Sequence, residues 1–192
     1  MDADSKKQKQ QKKKGKQEKS TGRWAVQVFF IAVVLSAALS LASDQALDGA
    51  GLAVAFAVLL AFILLGIVFD IIGVAVTAAD EKPFHSMAAR KTPGAREALN
   101  LIRKADKVSS FCNDVVGDIC GIISGSTGAV IVVQIQTAFG MPGMVISLAV
   151  TALTSGLTIG GKALGKSFAI AKSTAVLQLV GRLLHLFSRK KR

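Results

Sequence analysis

Three aspartates sit in long stretches that carry no other charge, Asp70 among Leu, Ile, Val, Ala and Phe, and Asp114 and Asp118 in a segment richer in small and polar residues. A carboxylate in such surroundings is costly and calls for a partner. Asp114 and Asp118 are four residues apart and share a helical face with Ser110, while Ser109 and Asn113, also four apart, lie beside that face. Carboxylates, carbonyls and hydroxyls are the ligands that hard divalent cations take. Ser109, Asn113, Asp114, Asp118 and Asp70 are therefore the candidate metal ligands. A packing role competes with this. Ser110, Asp114, Gly117, Asp118, Gly121, Ser124, Gly125 and Gly128 follow one another at short helical steps, and small-polar faces also serve helix association. An aspartate near the basic end of the span has Lys104 or Lys107 as an alternative partner.

Other chemistries lack their residues. His85 and His185 lie in separate polar segments with no partners at metal spacing. The glycines of Ile159-Gly160-Gly161-Lys162-Ala163-Leu164-Gly165-Lys166 do not have phosphate-loop spacing. Cys112 and Cys120, eight apart in an apolar stretch, read as buried thiols acting as small apolar residues. No catalytic set emerges, so an enzyme is not expected, and no cofactor is implied beyond Mg²⁺ or another divalent cation as a transported ion.

The elements that must hold these residues follow from charge segregation. The 192-residue chain carries 24 Lys+Arg against 12 Asp+Glu. Segment 24–43 has no charge, 49–79 has Asp70 alone, and 108–161 has only Asp114 and Asp118. A helix needs about 20 apolar residues to cross the hydrocarbon core. The turn signal Phe139-Gly140-Met141-Pro142-Gly143 divides the last segment. The expected fold is all-α and polytopic, with four spans at 24–43, 50–79, 108–138 and 144–161. Every basic residue falls in one of three blocks, 1–23, 80–107 and 162–192, and the loops 44–50 and 139–143 hold none. Four spans put all three blocks on one side, which the positive-inside rule makes the cytoplasm. A multi-pass protein of the cell membrane with both termini cytoplasmic is expected.

Residues 1–23 form a Lys/Gln-rich tail expected to be disordered and cytoplasmic, suited to contact with anionic lipid rather than nucleic acid. Span 24–42 reads either as an uncleaved anchor or as a signal peptide, its long basic region and long apolar run favouring the anchor. Segment 82–107 is expected to be a cytoplasmic helix-turn-helix. Its apolar face of Ala98, Leu99, Ile102 and Ala105 would lie on the membrane or on another subunit. A further cytoplasmic helix is expected over 166–188. Its apolar residues, including Leu179, Leu183 and Leu186, suit the membrane interface.

From about residue 52 onward the chain resembles the transmembrane domain of the cyclin M (CNNM) and CorB/CorC magnesium transporters. The residues that carry the resemblance are Gly73-Val74-Ala75-Val76-Thr77-Ala78, the segment 82–107, Ser109 with Asn113, and Gly161-Lys162-Ala163-Leu164-Gly165-Lys166. The resemblance implies a three-span domain over 50–192, a homodimer and a divalent-cation site in which Ser109 and Asn113 are ligands. Departures are specific. Lys162 stands where the family's ion-binding Glu would fall, Gly165 replaces a proline, Val76 a glutamate, and Gly73 a ligating serine. No counterpart of the family's CBS domains appears before Arg192. Two functions are therefore expected: cation transport with Asp70, Asp114 or Asp118 taking over the site, or a non-transporting scaffold or accessory subunit that has lost it.

Overall fold

The computed structural model describes the backbone of residues 2–140 and 142–189. It describes the side-chain surroundings of Gly22, 24–140 and 142–187. The tail expected to be disordered, 1–23, falls almost wholly outside the latter. Helices follow in the order α1 (Asp2–Leu47), α2 (Leu52–Ala78), α3 (Glu81–Ala89), α4 (Ala95–Ile102) and α5 (Ala105–Ser110). A π-helical segment, Phe111–Val116, then leads into α6 (Gly117–Phe139), α7 (Gly143–Ala171) and α8 (Ser173–Arg189). No strand occurs among the described residues. Four helices are long and apolar enough to cross a membrane: Trp24–Leu47, Leu52–Ala78, Ala105–Phe139 and Gly143–Ala171. The protein is an all-α, polytopic helical membrane protein.

The chain divides into two compact units, 1–38 and 39–192. The first is most of α1. Its apolar side chains Val26, Phe29, Phe30, Val33 and Val34 are exposed, as suits a helix whose solvent is lipid.

In the second unit, α2 packs against both α6 and α7. Ala55, Leu59 and Ile63 of α2 meet Ile131 of α6, with Leu52, Ile67, Ile135 and Val150 around them. Gln134 Nε2 donates to the Ala50 carbonyl at 3.0 Å and so ties the α1–α2 turn to α6. Small residues set the spacing. A Cβ on Gly161 or Gly165 would overlap Ile67 or Ile71, so α7 lies directly on α2.

The basic end has its own core. Ala75, Val76, Phe84, Ala98, Leu99, Ala169 and Leu177 form one buried cluster, with Ile102 and Ala105 packed against it. This corrects the expectation for 82–107. Its apolar face covers the ends of α2 and α7 and the inner face of α8 within the same chain, because Phe84 and Leu177 complete a pocket that sequence spacing alone does not reveal. Two boundaries also differ from expectation. The last span does not end at Gly161 but continues as α7 to Ala171: Ser155-Gly156 and Gly160 lie on its exposed side without breaking the helix, and Gly161 packs against Ile67. The helix expected over 166–188 accordingly starts at Ser173.

Candidate functional site

The site is built on the seam between α2 and the π segment. Gly66 faces Cys120: a methyl there would lie 3.2 Å from the Cys120 Cβ. Gly73 faces Asn113 so closely that a Cβ would overlap the amide. The two helices run antiparallel. Asp70 lies between the two glycines on α2, and Gly117 lies between their partners on the other helix, so Asp70 and Gly117 stand at one depth. Asp70 is only 4% exposed, and its Oδ2 has no hydrogen-bond partner. Asn113 Nδ2 donates to Ser109 Oγ at 3.4 Å, while its buried Oδ1 has no partner. Lys162 of α7 reaches the same level, its Nζ 3.6 Å from where a methyl on Gly117 would sit.

The seam thus brings Asp70, Asn113 and Ser109 to one edge. It does not bring Asp114 and Asp118 there. Both are exposed, and Ser110 Oγ donates to Asp114 Oδ2 at 2.6 Å. A π turn holds more than 3.6 residues, so it shifts the phase of every residue across it. Within α6, Gly117, Ser124 and Gly128 are buried, while Asp118, Gly121 and Gly125, with Asp114 of the π segment, look outward. The single small-polar face read at α spacing is two faces. Among the described residues, no three His, Cys, Asp or Glu side chains converge. An ion on the seam would therefore take one carboxylate and neutral oxygens.

The outward face continues into a groove of about 340 Å³ between α6 and α7. Gly121, Gly125 and Gly128 form one wall, and Ser147, Thr151, Ser155 and Thr158 the other. Ser124 also lines it, 3% exposed and with its Oγ unpaired. Cys112 and Cys120 are free and buried.

A second polar contact was not visible in the sequence. Gly94, at φ +84°, abuts the backbone of Gly181 and Arg182, where any Cβ would overlap main chain. Beside this crossing, His185 Nδ1 donates to Glu97 Oε1 at 2.8 Å. Burial pushes the Glu97 carboxyl up. The hydrogen bond from His185, its own backbone N–H, and the His185 and Arg96 charges outweigh that and hold it below the ordinary 4.5. The residues are 88 apart in sequence, so only the paired glycines hinted at the approach.

No family model, curated protein or solved structure matches the chain.

Proposed function

We propose that the protein binds and passes a cation through the membrane at the Asp70–Asn113–Ser109 seam, the ion being divalent and of the Mg²⁺ class. The observation that carries this reading is the pair of buried, unpaired oxygens, Asp70 Oδ2 and Asn113 Oδ1, on neighbouring positions of one helix seam. A bilayer supplies no water to satisfy them, so their natural complement is a cation. Asn113 and Ser109 are also the site residues on which the resemblance to the CNNM and CorB/CorC transporters rests, while Gly73 departs from it. The basic blocks support a cytoplasmic placement of both termini and of the α3–α5 and α8 layer. The Lys-rich tail suits anionic lipid. The outward carboxylates and hydroxyl-lined groove favour a second copy of the chain over bare lipid, hence a homodimer. The test is flux of Mg²⁺, Mn²⁺ and Co²⁺ into proteoliposomes of the purified chain. Asp70→Asn should abolish it, and unchanged flux would sink the proposal.

One observation favours a second reading. The Lys162 ammonium at Gly117 places a fixed positive charge at the depth of Asp70. A permanently neutralised seam would make the protein a non-transporting scaffold or accessory subunit. A wild-type chain giving no more flux than empty liposomes would support that.

A further inference from the structure

We infer that Lys162 is the tethered counter-cation of the Asp70–Asn113 seam, and that its ammonium holds free divalent cations off until it moves. The inference rests on the cation-binding reading of the seam and assigns its selectivity. Three contacts place the charge. Gly66 on Cys120 and Gly73 on Asn113 fix the depth of Asp70 against Gly117, and Lys162 Nζ borders Gly117 from the third helix. The packing of Gly161 on Ile67 presses α7 onto α2 one residue before Lys162. From there the lysine's flexible stem carries its head to the seam, the habit of a long side chain that buries its methylenes and positions its charge.

The charge balance follows. Asp70 alone leaves one negative charge in a medium that tolerates it poorly. With the ammonium at the same depth the seam is neutral, yet no ion pair within 4.0 Å joins Lys162 to a carboxylate among the described residues. The ammonium therefore compensates Asp70 at a distance and leaves its Oδ2 open. A divalent ion arriving there meets a net neutral seam: the ammonium offsets the pull of Asp70, and removing it would restore an attraction that scales with the ion's charge. Neutralising Lys162 should therefore raise divalent binding at Asp70.

The experiment uses the full chain in proteoliposomes with Mn²⁺ and Mg²⁺ as probes. Lys162→Gln should raise divalent flux about tenfold, within the usual range for coupling between two sites. Lys162→Arg should match wild type, and Lys162→Gln with Asp70→Asn should lose the gain. Flux unchanged or lowered in Lys162→Gln, while Asp70→Asn still lowers it, would overturn the counter-cation and leave the site standing. Flux indifferent to Asp70→Asn would overturn the site itself and the inference with it. Unfolding midpoints guard against a folding defect. Lys162→Gln alone should destabilise, and adding Asp70→Asn should recover part of the loss, because removing one charge strands the other. Strictly additive losses would refute the pairing.

Discussion

Replacing Gly73 with alanine should separate the ion site from the scaffold. The new methyl would overlap Asn113 Oδ1 and Cγ, the far end of a side chain that turns about two bonds. The helix itself gains about 1 kcal/mol when Gly becomes Ala. Overpacking costs about 1–3 kcal/mol, and the low end applies because the obstacle is a movable amide rather than backbone. The two effects nearly cancel, so stability should change by less than about 1 kcal/mol. Function should not be spared. Asn113 must swing off the seam, taking its Oδ1 away from Asp70, and divalent flux should fall about tenfold, the scale of losing one ligand or its support. Thermal unfolding in detergent gives the first quantity and proteoliposome flux the second. Asn113→Ala should lower flux as much, and the double variant no further, since both act through one amide. A Gly73→Ala protein that is about 1 kcal/mol more stable and transports like wild type would refute the close approach.

Gly94→Ala should do the opposite and damage the scaffold. Its positive φ and the main chain of Gly181 and Arg182 leave a methyl nowhere to go. A loss of about 3 kcal/mol or more is expected, read as faster proteolysis of α8. The Glu97 carboxyl is held below 4.5, so its clasp on His185 contributes fully above that pH. It should weaken as pH falls through the folded value, and the acid-side drop in melting temperature should shrink in Glu97→Gln. Asp114→Asn with Asp118→Asn should leave Asp70-dependent flux within about twofold, since both face away from the seam. A cysteine at Gly125 should crosslink two copies if the α6–α7 groove lies between them, and failure to crosslink would count against the dimer.

The spans could be read in the sequence because lipid imposes a rule that needs no tertiary knowledge: about 20 uncharged residues, then charge. The segments around Phe56 and Val132 obey it, and the four helices came out where the rule puts them. Asp70 and Asn113 were recognisable as residues out of place in such a medium. Their place on one seam was not, since it depends on Gly66 docking on Cys120 and Gly73 on Asn113, on a helix that follows much later in the chain. Asp114 keeps Ser110 as its neighbour, as the four-residue spacing predicts, but spacing could not say which side of that helix would meet α2, and nothing in Phe111–Val116 marks a π turn. The folding of α4 onto α8 through Gly94 and Gly181 was hidden for the same reason as any long-range contact: each glycine alone reads as a turn or a helix weakness. The apolar face of α4 was visible, but its partner Leu177 was not.

The π segment has one more consequence. Because its turn accommodates an extra residue, the helix on either side of it keeps two separate clocks. Ser109 is timed to α5, which the basic-end layer holds in place. Cys120 and Ile131 are timed to α6, which Gly66 and Ile63 hold in place. Deleting a single residue between Phe111 and Val116 would restore an unbroken α-helix of nearly the same length. Because the wide turn already absorbs that residue, the two halves would keep their mutual phase, and only the side chains inside the stretch would be re-aimed. The Asn113 amide would then leave α2 while the deeper half of the bundle kept its fit. In this chain the length of that six-residue stretch is as binding a specification as the identity of any aspartate.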